Sequence, residues 1–172
     1  MIIGHGDLAQ ALQVIEEKFP EKFSSCLGSR VAFIASGLSN SQNVTYADLV
    51  RERETIFKYG HSNRNHIVYF SSLCVYYSDS PYSKYKQELE RYIQSLECTH
   101  TIVRIGNITW GKNPHTLLNY LKAHPEAERR DEIRYLVDKE EFLHWMEKIR
   151  PGVNDIMNIP GRMVNVKDLV IT

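Results

Sequence analysis

The feature that most constrains this chain is its rhythm, in which short apolar runs alternate with longer amphipathic stretches from end to end. The apolar runs are Met1–Ile3, Val31–Ala35, His66–Phe70, Thr101–Arg104, Ile133–Val137 and Asp155–Ile159. Several lack strict apolar/polar alternation, as expected of strands covered on both faces. Between them, Leu8, Leu12, Ile15 and Phe19 step along one helical face. Thr45, followed three residues later by Asp48, reads as a capping box opening a helix with Ala47, Val50 and Phe57 on its apolar side. A third helix covers about Tyr82 to Leu96, with Tyr85, Leu89, Tyr92, Ile93 and Leu96 on one side. A fourth spans Thr116–Ala123 and stops before Pro125; a fifth opens at Asp138 and Glu141 and buries Phe142, Trp145, Met146 and Ile149. The resulting order, βαβαβαβαβαβ, predicts an α/β fold, a doubly wound parallel sheet whose right-handed crossovers put helices on both faces. The 172 residues fit a single domain, 1–172, long enough to bury a core.

Composition narrows the function classes. Lysine plus arginine and aspartate plus glutamate balance at 21 each, so no general field draws the chain to nucleic acid or an anionic membrane. Any anionic ligand must be held locally. Cys26, Cys74 and Cys98 are odd in number and lack metal-like spacing, which points to a reducing compartment and a cytoplasmic location. The histidines form no HxxxH or HExxH pair, so no metal site is expected. No apolar run approaches the roughly 20 residues that span a bilayer, and no signal-peptide pattern is present.

Two segments carry chemistry. The first is Gly4-His5-Gly6-Asp7-Leu8-Ala9, a GxGxxA turn between an apolar run and an amphipathic helix. Glycine permits the tight turn and the close approach of a pyrophosphate, and a helix amino terminus offers free N–H groups and a positive dipole end. His5 is accounted for as an exposed turn residue. The second segment pairs a strand ending in Ser71-Ser72 with Tyr82 and Lys86, a YxxxK spacing that places both side chains on one helix face. A free tyrosine, with a pKa of about 10, is a poor acid/base at neutral pH; a nearby ammonium favours the phenolate. A serine hydroxyl from the strand end can hydrogen-bond the same substrate oxygen. Cys74, beside the serines, reads as a small buried residue, since no histidine stands near it in sequence.

The stretch Ser71-Ser72-Leu73-Cys74-Val75-Tyr76, with Ser80-Pro81-Tyr82-Ser83-Lys84-Tyr85-Lys86 and Glu90 after it, resembles the active-site region of short-chain dehydrogenase/reductases of the extended, sugar-nucleotide epimerase/dehydratase type. The run Val103-Arg104-Ile105-Gly106-Asn107-Ile108-Thr109-Trp110-Gly111 is similar to the family's LRxxNVYG stretch, and Met157-Asn158-Ile159-Pro160-Gly161 to a late segment. The resemblance implies a Rossmann-like fold with NAD or NADP as cofactor. It implies Ser72, Tyr82 and Lys86 as catalytic residues, Lys86 also holding the nicotinamide ribose. It implies cofactor contacts from Gly4, Gly6, Asp7, Leu8, Ala9, Asn107 and the strand end Ala35-Ser36-Gly37, which is similar to the end of the family's fourth strand. The family's dimers predict a homodimer through the helices over residues 46–59 and 82–96.

The chain departs from the family in being short. Val31 follows Gly6 too closely to admit the family's second and third strands. The ribose-binding acid or base expected about 20 residues past the glycine turn would fall near Cys26, where none stands. The interval from Ser72 to Tyr82 is compressed, and residues 113–134 leave room for only a vestige of a substrate domain. Two functions stay open: an NAD(P)-dependent oxidoreductase or epimerase acting on a carbonyl or hydroxyl, with a nucleotide-sugar as candidate substrate, and a catalytically inactive nucleotide-binding or protein-interaction module built on that fold.

Overall fold

The computed structural model describes residues 1–20, 30–38 and 40–170; the position near Cys26 lies outside them. The described elements are β1 (Ile2–Ile3), α1 (Asp7–Lys18), β2 (Arg30–Ile34), α2 (Tyr46–Gly60), β3 (Asn65–Ser72), α3 (Pro81–Gln94), β4 (Thr99–Ile105), β5 (Asn107–Ile108), α4 (Leu117–Ala123), β6 (Ile133–Val137), α5 (Lys139–Met146), β7 (Asp155–Ile159) and β8 (Arg162–Asn165). The fold is α/β and Rossmann-like: a parallel sheet in the order β1-β2-β3-β4-β7 with helices on both faces. It is the shortened form expected, because among the described residues no strand lies beyond β1.

Alternate residues of the central strands feed two cores. Val31, Phe33, Val68, Phe70 and Val103 pack under α1 and α5, against Leu12, Ile15, Phe142 and Met146. Ala32, Ile34, Ile67, Tyr69 and Ile102 pack under α2 and α3, against Ile56, Tyr85, Leu89 and Ile93. Burial on both sides is why β2 and β3 read as unbroken apolar runs. Strands β1 to β4 lie side by side in chain order, yet α1 sits on the face opposite α2 and α3. The apolar stripe of α1 finds its cover in α5, which holds it on that face.

Two readings are corrected. Ile133–Val137, expected in the main sheet, forms a separate three-stranded sheet, with β6 parallel to β5 and antiparallel to β8. Ile133 is exposed and only the end of β6 is buried, so the strand does not suit a two-sided interior; β7 takes the place beside β4. In α2 the capping box at Thr45 and Asp48 is present, but Phe57 points outward at 56% exposure. The inward stripe is Leu49, Glu52, Ile56 and Gly60. A carboxylate on the buried face hid that stripe from a search for apolar periodicity.

Candidate functional site

The parallel sheet sends the carboxyl ends of β1, β2 and β3 to one edge, where loops carry the residues singled out by sequence. At the end of β1, Gly4 has φ +126°, and a Cβ there would collide with the Ala35 carbonyl. Glycine is thus needed for the turn to pack against the end of β2. Gly6 is the N-cap of α1; no side chain caps it, and nothing lies within 4 Å of where its Cβ would project. Asp7 does not fill that space. Its carboxylate accepts the backbone N–H groups of Lys112 (3.0 Å) and Asn113 (3.1 Å), tying the loop after β5 to the start of α1. Ala9 is buried in the body of α1, while Leu8 packs at the edge of the core. An uncapped, glycine-lined helix start fits the pyrophosphate of a dinucleotide, through Gly4, Gly6 and the first-turn N–H groups.

The second segment is set by local chemistry. Ser72 accepts the Cys74 N–H at 3.3 Å and opens a 3₁₀ turn over Leu73–Tyr76. Ser80 caps α3 by accepting the Ser83 N–H at 3.2 Å, with Pro81 in the first position. Ser83 donates back to the Cys74 carbonyl at 3.1 Å, and Gln87 to the Val75 carbonyl at 3.0 Å, so the turn and the helix form one unit. Tyr82 therefore rides on the first turn of α3, half-buried. No hydrogen bond joins its hydroxyl to Ser72 or to Lys86 among the described residues. Burial pushes its pKa up, and the Lys86 charge only partly opposes this.

Lys86 lies behind Tyr82 and is 3% exposed. Its three N–H groups go to Glu52 Oε1 (3.2 Å), Tyr69 Oη (2.8 Å) and the Phe70 carbonyl (3.3 Å). An ammonium has three donors, so this one is saturated within the protein. The rings of Tyr69, Tyr85 and Tyr82 surround it at 4.8, 5.4 and 5.8 Å. Glu52 also accepts the hydroxyls of Tyr69 (2.9 Å) and Tyr85. Burial would raise the Glu52 carboxyl, but Lys86 and the two tyrosines outweigh it and hold the pKa below its usual value. Gly37 roofs the pair: a Cβ there would stand 3.2 Å from Lys86 Nζ and 3.3 Å from Glu52 Oε1. Glu52 was missed from sequence. The signal that marks it is its place between Leu49 and Ile56 on the helix face that turns inward.

Other motif residues build the frame. Ser71 donates to Glu90 at 2.5 Å, and Arg104 donates Nε and Nη2 to the same carboxylate. Arg104 also reaches Tyr76, whose hydroxyl donates to Asn158 at 3.0 Å. Residues from all three resembling stretches thus meet in one hydrogen-bonded network. Asn107 donates to the Tyr135 carbonyl at 3.3 Å, joining β5 to β6. Ala35 donates its N–H to Ile3, and Ser36 sits where a Cβ on Gly4 would press. Cys74 is buried, as expected.

No family model and no curated protein matches the sequence. Solved structures do. UDP-glucuronic acid 4-epimerase from Bacillus cereus, in complex with UDP-glucuronic acid and NAD, superposes with a TM-score of 0.63 at 13% identity, over 94% of this chain and 59% of that one. The Bordetella bronchiseptica enzyme WbmG, in complex with NAD and UDP, gives 0.60 at 15% identity, over 91% and 57%. UDP-glucose 4-epimerase from Thermotoga maritima, with UDP-glucose, gives 0.55 at 14% identity, over 90% and 61%. The chain therefore has the fold of the extended short-chain dehydrogenase/reductases that its motifs resemble, and it spans under two thirds of the length of these structures.

Proposed function

We propose that residues 1–172 form one NAD(P)-binding unit acting as an oxidoreductase or epimerase of the short-chain dehydrogenase type on a carbonyl or hydroxyl, with a nucleotide-sugar as substrate. The observation that carries this reading is the continuity from an uncapped glycine turn, through Ala35 and Gly37, to the Lys86–Tyr82 pair along one sheet edge. Gly4, Gly6 and the first turn of α1 would hold the pyrophosphate of NAD or NADP; a bound nicotinamide supplies hydride donation and acceptance. Tyr82 exchanges a proton with the substrate oxygen, and Ser72, whose hydroxyl still has a proton to donate, polarises that oxygen. Binding of NADH and NADPH by calorimetry tests the reading first, followed by turnover of UDP-sugars and its loss in Tyr82→Phe. Micromolar binding with Tyr82-dependent turnover is the expected result, and no binding up to millimolar concentration overturns it.

One observation favours the second reading, a nucleotide-binding module without turnover: the donors of Lys86 are all engaged inside the protein, leaving none for a ribose. Binding of NADH without turnover of any nucleotide-sugar would select it. The same family reading carries a homodimer through α2 and α3, supported by the exposure of Tyr46 and Phe57 on α2.

A further inference from the structure

We propose that Glu52 is a positioning residue of this site: it clamps Lys86 behind Tyr82 and offsets part of the ammonium's field there, so that Tyr82 stands ready as a neutral phenol, a proton donor. The inference rests on the reading of Tyr82 as the acid/base group. Glu52 is 2% exposed and Lys86 3%, on adjacent helices, with the carboxylate 3.2 Å from the ammonium. Each oxygen of Glu52 has a donor, and each donor of Lys86 has an acceptor. Such a closed pair keeps both charges and holds Lys86 in a single place. It also places an opposing charge beside the ammonium, whose Nζ is 5.8 Å from the ring centre of Tyr82. A lone ammonium at that range would favour the phenolate; one with a carboxylate in contact does so less.

The other groups do not supply that compensation. Tyr69 on β3 and Tyr85 on α3 are phenols pushed further from ionisation by burial and then by Glu52. Cys74, on the 3₁₀ turn, is a buried thiol whose pKa burial also raises. Arg51, one residue from Glu52 on α2, pairs with Asp48 at 3.2 Å and acts on Tyr85. Glu52 is thus the one buried anion against Lys86 among the described residues.

The test follows the ionisation of Tyr82 itself, by carbon-13 NMR of ring-labelled tyrosine, with Tyr82→Phe assigning the resonance. Glu52→Gln keeps the shape and removes the anion, so the Tyr82 midpoint should move to lower pH. A Glu52→Gln midpoint equal to or above that of the parent overturns the proposal. If Glu52→Gln does not fold, the double variant Glu52→Gln/Lys86→Gln replaces the ion pair with a neutral one. Its Tyr82 midpoint should lie below that of Lys86→Gln alone, in which the carboxylate acts on Tyr82 unopposed, and a midpoint equal to or above it overturns the proposal. These titrations need neither cofactor nor substrate. Failure of the enzyme reading would appear instead as absent NADH binding or as turnover indifferent to Tyr82→Phe.

Discussion

A Cβ on Gly111 would fall on the Asp7 carboxylate, so the loop after β5 can seat against the start of α1 only because position 111 has no side chain. Gly111 also has φ +94°, a backbone conformation that L-residues rarely adopt. Gly111→Ala should therefore lower stability by about 1–3 kcal/mol. Asp7→Ala should release the same loop by removing the acceptor for Lys112 and Asn113. Urea denaturation of both variants checks this, and parent-like stability in Gly111→Ala would refute it.

Glu90 is buried and accepts from both Ser71 and Arg104. Removing it leaves Arg104 unpaired beneath Tyr76 and Ser71 without its acceptor. Glu90→Ala should cost about 2 kcal/mol or more, the partial exposure of Arg104 reducing the loss from that of a fully buried pair. Glu90→Gln, which keeps an acceptor, should cost less. The order of the two midpoints in chemical denaturation decides the matter.

His66 is fully buried between Thr99 and Thr101, and burial, then the nearby His100, lowers its pKa from 6.5 to about 4. Between those values the unfolded chain binds a proton at position 66 that the folded chain refuses. Stability is thus present above pH 6.5 and falls as pH drops toward 4, by up to about 3 kcal/mol. His66→Gln should flatten this part of the stability profile, whatever it does to stability at neutral pH. Parallel profiles for parent and variant would remove His66 as the cause.

Phe57 is an exposed aromatic on α2, its ring tilted against that of His61 at 5.8 Å. If α2 and α3 form the proposed dimer face, Phe57→Asp should convert a dimer to a monomer in sedimentation while leaving the unfolding midpoint of the monomer within about 0.5 kcal/mol. A parent protein already monomeric at micromolar concentration would end that reading.

Much of the fold was legible in the residues themselves. The capping box of Thr45 and Asp48, the helix opening near Tyr82 and the stripe Leu8-Leu12-Ile15 depend on neighbours within one or two turns, and the structure has them all. The unbroken apolar runs of β2 and β3 signalled strands covered on both faces. The shortened sheet followed from the few residues between Gly6 and Val31.

What tertiary structure decided was partnership. Ile133–Val137 reads as an apolar run like Val31–Ile34, yet it lies in a second sheet with its first residue exposed, and β7 takes the place beside β4. The inward face of α2 could not be read, because a buried carboxylate looks polar until the ammonium that compensates it is brought from α3, thirty-four residues away in the chain. For the same reason Lys86 read as a group open to a ligand. Charge and hydrogen-bond capacity belong to a residue, whereas whether they are already spent depends on what the fold places within about 3 Å of it.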